Sequence, residues 1–179
     1  MFEPARRQFS MIHELLFGAT VIAVLGSGLI AGVFFGFAAF LLKAISRLPV
    51  PQGIVAMQLI TTAIKNSLFL LVFFGTAALG CVIALAALIS WSKPGSAYLL
   101  LGSLLFLSLP FAVTLLKNVP LNNRLAAVNA ESAEGSSYWE DFLVSWTLWN
   151  HLRWVGALSA MIFLLLALIQ ASPTPFLPH

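Results

Sequence analysis

Four stretches of this chain carry no charged residue and are overwhelmingly apolar: Leu15–Leu42, Asn66–Trp91, Gly95–Leu116 and Trp154–Ser172. Each is close to or longer than the roughly 18–20 residues that take a helix across a bilayer core. With 60% hydrophobic and 8% charged residues and a mean hydropathy of +0.99, the chain lies outside the composition of soluble domains. The expected fold is therefore all-α: a polytopic membrane protein built as an up-down bundle of four transmembrane helices, near residues 15–43, 54–92, 96–118 and 140–171. One such bundle uses nearly all of residues 1–179. It leaves a polar lead (1–14), an acidic extramembrane loop (123–141) and a proline-rich flexible tail (172–179). The first run is too long for a signal peptide and is followed by no clear small-residue cleavage site, so it reads as a mature helix.

Charge and cysteine content narrow the partners. The formal charge of +3 is scattered, and no basic run points to nucleic acid. Cys81 is the only cysteine; it has no intrachain disulfide partner and reads as a small apolar side chain. The first helix carries Gly28, Gly32 and Gly36 at four-residue spacing, a ladder that lets another helix approach closely. Packing within the bundle is the preferred reading, and a homo-oligomer through the same face is the second. Pro49 and Pro51 stop the first helix. Gln58, Thr61, Thr62 and Lys65 then form one polar stripe of an amphipathic helix, which is expected to run directly into the second span. Pro110 is expected to bend the third helix, and Pro120 suits the first turn of a new short helix.

Connectivity gathers the polar residues. In an up-down bundle the end of helix one, the start of two, the end of three and the start of four share one membrane side. Those ends hold Lys43, Arg47, Gln58, Lys65, Lys117, Asn118, Asn122, Asn123, Arg124, Asn150, His151 and Arg153. Polar groups beside hydrocarbon are costly, and where they cluster they usually serve a site. The opposite side has only the polar lead, the turn at Lys93 and the tail. Orientation stays open: short-loop cations at the polar end (Lys43, Arg47, Lys117, Arg124) barely outnumber those at the other (Arg6, Arg7, Lys93).

On the fourth helix Trp146, Asn150, Arg153 and Ala157 fall on one face, and His151 lies about 100° around from Asn150. Trp and Arg at this depth also serve as interfacial anchors. Asn and His are harder to explain that way. A neutral His can accept a proton, a nearby Arg or Lys can stabilise an enolate oxygen, and Asn can orient a carbonyl or hydroxyl. Metal ligation is disfavoured, because the three His are far apart and no HxxxH, ExxH or CxxC spacing occurs. A bis-His haem fits badly, with His13 and His151 on opposite sides and His179 on the tail. An ion-coupled transporter normally needs an acidic residue inside a helix, and here all six acidic residues lie outside the apolar runs.

Four stretches together resemble the anthrone oxygenase-like membrane family: Ala31-Gly32-Val33-Phe34-Phe35-Gly36-Phe37, Ala56-Met57-Gln58 with Asn66 downstream, Asn118-Val119-Pro120-Leu121-Asn122-Asn123, and Trp146-Thr147-Leu148-Trp149-Asn150-His151-Leu152-Arg153. They occur in the family order over roughly residues 15–165, and the last two are the specific ones. The chain departs from the usual pattern at Leu42-Lys43 and at Ile64-Lys65-Asn66. The resemblance implies a small four-helix membrane protein that oxidises an anthrone, or a similar enolisable polycyclic or phenolic substrate, with molecular oxygen as co-substrate and no classical cofactor. On that reading His151 is the base, and Arg153 or Lys65 stabilises the oxyanion. Gln58, Asn122 and Asn150 orient the substrate, and Trp146 is a flat apolar wall. The implied partners are the lipid bilayer and a hydrophobic aromatic small molecule, in what would be a bacterial inner membrane. The alternative is a non-enzymatic membrane binding or assembly subunit, for a quinone-like lipid or a larger complex, using the same polar mouth without turnover.

Overall fold

A computed structural model describes residues 3–171; the tail 172–179 and its His179 lie outside the described residues, as does the side chain of His13. Four helical spans are long and apolar enough to cross a membrane: Glu14–Ile45, Leu68–Ile89, Ser96–Ala127 and Ala133–Ala171. The protein is a multi-pass, all-α membrane bundle. The first span comprises α1 (Glu3–Gly36), a π-helical turn (Phe37–Leu41) and the short α2 (Leu42–Ile45). After α3 (Val50–Lys65), the second span is α4 (Leu68–Ile89). The third joins α5 (Ser96–Phe106) through two π-helical stretches to α6 (Val119–Ala127), and the fourth is the single helix α7 (Ala133–Ala171).

Three core layers show the up-down order. At one end Ala23, Ile83 and Leu164 pack together. In the middle lie Ile30, Phe34, Phe73, Ala77, Phe106, Ala157 and Ala160. At the other end Phe37, Leu42, Ile54, Met57, Leu125, Tyr138, Trp139, Phe142 and Trp146 close the bundle. Residue numbers rise through the layers in α1, fall in α7 and reverse again between α4 and α5. Each span packs on its sequence neighbours, and α1 packs on α7, closing the ring. Large apolar side chains such as Leu25, Leu29, Leu71, Leu85 and Leu158 point outward, as hydrocarbon solvent allows.

Several expectations need correction. The polar stripe does not run on into the second span. The helix breaks at Asn66 and Ser67, with Ser67 in an extended conformation and its hydroxyl donating to the Ile64 carbonyl at 2.8 Å. Asn and Ser side chains compete with helical backbone bonds in this way. Residues 123–141 are not a long loop: only Val128–Ser132 is non-helical. Asn129 Oδ1 accepts from the Glu131 amide, and Ser132 Oγ accepts from the Gly135 amide at 3.0 Å, which starts α7 a full two turns earlier than apolarity suggested. Pro110 sits in a π-helical stretch, Leu107–Ala112, whose wider register accommodates a residue lacking an N–H.

The glycine ladder is not the close-packing face within the chain. A Cβ at Gly32 would meet nothing within 4 Å and at Gly36 only side chains of its own helix, while at Gly28 it would lie 3.0 Å from Met161 Sδ, the end of a flexible side chain on α7. The tightest approaches between helices are elsewhere. A Cβ on Gly26 would strike Thr76, and one on Gly102 would lie 2.8 Å from Leu164 Cγ and 3.1 Å from the Ala160 carbonyl oxygen.

Unequal helix lengths position the site. The 22 residues of α4 rise about 33 Å, just enough for the ~30 Å hydrocarbon core. The 39 residues of α7 rise about 58 Å, so α7 continues past the end of α4. The amphipathic α3 fills the space left there, packing against α4, α6 and α7. Gln58 Nε2 donates to the Leu125 and Val128 carbonyl oxygens at 2.8 and 3.3 Å. It thereby satisfies acceptors that the end of α6 leaves open.

Candidate functional site

Under α3, where α4 begins, lies a cavity of about 170 Å³. Its wall is mainly apolar: Phe34 and Phe37 from the first span, Met57 and Ile64 from α3, Phe69 and Phe73 from α4, and Trp146 from α7. The polar contributions are few. Thr61, Lys65, Thr114, Asn122, Asn123 and Arg153 line it, and no Asp, Glu or His among the described residues does. Lys65 and Asn123 are exposed and mark the rim, whereas Arg153 is only 4% exposed and forms part of the floor.

Arg153 is held from three directions. Its Nη2 donates to Asn150 Oδ1 at 2.9 Å, and Nη1 reaches Thr114 Oγ1 at 3.5 Å. The guanidinium lies 4.2 Å from the centroid of the Phe34 ring and 4.9 Å from that of Trp146, both at cation–π distance. Nε has no hydrogen-bond partner. Asn150, fully buried, anchors the arrangement by donating from Nδ2 to the Phe34 carbonyl at 2.9 Å. A buried cation normally pairs with a carboxylate; here its neighbours are an amide, a hydroxyl and two rings.

Trp146 belongs to the same wall. Its indole N–H donates to Asn122 Oδ1 at 3.0 Å, which sets the orientation of that amide and leaves its NH₂ group free to donate. The ring of Phe37 leans on Trp146 with centroids 5.3 Å apart. Five of the seven residues singled out from the sequence thus fall at one place: Lys65, Asn122, Trp146 and Arg153 on the cavity wall, and Asn150 directly behind Arg153.

Two do not. His151 is exposed, and its Nδ1 is engaged with the Thr147 carbonyl oxygen at 2.8 Å; it lines neither this cavity nor the shallower cleft near Lys43. One residue beyond Asn150, the helix turns it off the buried face, and the role of cavity base is withdrawn. Gln58 does not line the cavity either, because its amide is committed to the end of α6.

Three further residues contribute, and their sequence signal is weak or missing. Asn118, fully buried, donates from Nδ2 to the Trp146 carbonyl at 3.4 Å, and its Oδ1 has no partner. Thr114 accepts from Arg153 while donating to the Pro110 carbonyl at 2.6 Å. Phe34 supplies both a ring and a main-chain acceptor. Asn118 was detectable as a polar side chain at the end of an apolar run; Phe34 and Thr114 carried no such signal. Lys117, 5.0 Å over the Trp149 ring, fits the interfacial anchor role instead. Among the described residues no three His, Cys, Asp or Glu side chains come together in a metal-binding group.

A family model described as anthrone oxygenase matches residues 69–163, just over half of the chain. No curated protein sequence and no solved structure matches the chain.

Proposed function

We propose that this chain, which belongs to the anthrone oxygenase family, oxidises an anthrone or a similar enolisable polycyclic phenol with molecular oxygen, using Arg153 as the partner of the substrate oxyanion. The observation that carries the reading is the buried guanidinium on the floor of an apolar cavity with no carboxylate on the lining. A charge kept unpaired in such a place costs stability, and it is best used by an anion that forms there.

The chemistry follows from that charge. An anthrone enolises to a phenol; loss of the O–H proton gives an anion whose charge is shared between the oxygen and the ring carbon opposite. Arg153 holds the oxygen, a preorganised cation where negative charge develops. The proton leaves towards the rim, where Lys65 and Asn123 meet the outside. The carbon gives its electrons to oxygen and forms a carbon–oxygen bond, and the resulting hydroperoxide loses water to leave a second ring carbonyl. One anthrone and one oxygen molecule yield one quinone and one water. The electrons come from the substrate, so the reading includes no cofactor. Trp146, Phe34 and Phe73 offer flat apolar surface to the rings, and the Asn122 NH₂ offers a donor. The substrate partitions from the bilayer, and the all-helical spans fit a bacterial inner membrane, whose outer counterpart uses barrels.

The test is oxygen uptake by the purified protein with a panel of anthrones and hydroquinones, with product identified by mass. One oxygen consumed per quinone formed, well above the autoxidation rate, supports the reading. Quinone binding without oxygen uptake would instead favour the binding-subunit alternative.

A further inference from the structure

Lys65 is not explained by an oxyanion at Arg153. It ends α3, is exposed, and lines the cavity rim. None of the hydrogen bonds or cation–π contacts in the cavity involves its ammonium. A lysine in the last turn of a helix also interacts with the helix dipole, but that role requires neither a cavity nor this face.

The size of the cavity gives the second observation. At about 170 Å³ it is smaller than the roughly 300–1,000 Å³ that enclose a drug-sized ligand. A three-ring molecule is therefore not fully enclosed: with its middle-ring oxygen at Arg153 and one outer ring against Phe34, Phe73 and Trp146, the other outer ring would reach the rim beside Lys65 and Asn123. The charge pattern is the third observation. The lining has two cationic side chains and no acidic one, so a ligand with a single oxyanion leaves one cation unmatched.

Resting on the anthrone reading above, we propose that the preferred substrate carries a second acidic group, a carboxylate on the outer ring that faces the rim, and that Lys65 is the residue that selects it. Lysine is a point charge on a flexible stem and suits a substituent at a solvent-facing rim.

The experiment is a binding comparison in nanodiscs of phosphatidylcholine, read by quenching of tryptophan fluorescence. The probes are anthraquinone-2-carboxylate and anthraquinone-2-carboxamide, alike in size and different in charge. In the wild type the carboxylate binds tighter by about fivefold, the scale of a partly exposed ion pair. The preference collapses in Lys65→Gln, returns in Lys65→Arg, and fades as salt is raised. Equal binding of the two probes to the wild type, or a preference that survives Lys65→Gln, overturns the proposal while leaving the anthrone reading standing. Failure of both probes to bind overturns the two together.

Discussion

Replacing Arg153 with Met separates function from folding, because the two should move in opposite directions. Taking the guanidinium out of water costs several kcal/mol. Against this stand the bond to Asn150 Oδ1 at 2.9 Å, about 1.5–3 kcal/mol for a charged donor, and the two ring contacts at 4.2 and 4.9 Å, about 0.5–2 kcal/mol each. The sum lies within a few kcal/mol of zero. Met fills a similar length with apolar surface and leaves Asn150 Oδ1 unpaired, a cost of about 1–3 kcal/mol that relief of the guanidinium's burial offsets. The unfolding midpoint of Arg153→Met in detergent, followed by tryptophan fluorescence, is therefore expected within about 3 °C of the wild type, or above it. Oxygen uptake with an anthrone should fall by about 10²–10³-fold, the loss expected when a preorganised partner of an oxyanion is removed. A drop of more than about 10 °C, in parallel with activity, would show that Arg153 is structural. Turnover within tenfold of wild type would refute the oxyanion role.

Other outcomes follow from the same geometry. His151→Ala should leave turnover within about twofold, whereas loss of a general base costs ~10²–10⁴; a loss of that size would restore the histidine to the mechanism. Gly26→Leu should prevent stable folding because its side chain meets Thr76, while Gly32→Leu, with open space at the Cβ, should leave the unfolding midpoint of the monomer unchanged; paired thermal scans check both. Gln58→Ala should release α3 from the end of α6, a loss of about 0.5–1.5 kcal/mol per bond. It would be seen as faster hydrogen exchange over Val50–Lys65 with little change in α4, and equal exchange in the two proteins would mean that the Gln58 bonds do not hold α3.

The spans were legible because apolar length is a long-range average that single residues do not upset. The boundaries were not, and each error has a local cause. Asn66 and Ser67 continue the helical phase of the stripe before them, and they break it through side-chain competition for the backbone, which periodicity does not register. Residues 133–141 look like loop because they are polar, yet the helix there is started by Ser132 and packs inward through Tyr138 and Trp139. The glycine ladder was misread for a different reason. Four-residue spacing establishes that Gly28, Gly32 and Gly36 share a face, but says nothing about which way that face points. Gly26, Gly102 and Gly156, which make close approaches between helices, stand outside the ladder.

The site turns on the same question of direction. Trp139, Phe142, Trp146, Asn150, Arg153, Ala157, Ala160, Leu164 and Ala167 are all buried, and they recur every three or four residues along α7. That stripe is visible in the sequence, and His151 is not on it. An imidazole is the expected proton acceptor by residue chemistry, but helical phase puts His151 about 100° off the buried face. The stripe instead delivers an amide and a guanidinium to the interior, with no acid or imidazole on the cavity lining. Such a lining stabilises an anion better than it removes a proton. The easier the substrate is to ionise, the less base the protein needs to supply, and the substrates best matched to this wall are those whose enol form is already a phenol. Across a series of anthrones at one pH, turnover should therefore rise as the acidity of the substrate rises, and His151→Ala should leave that slope unchanged. A rate indifferent to substrate acidity would show that ionisation of the substrate does not govern the step, and would refute the role given to the charge at Arg153.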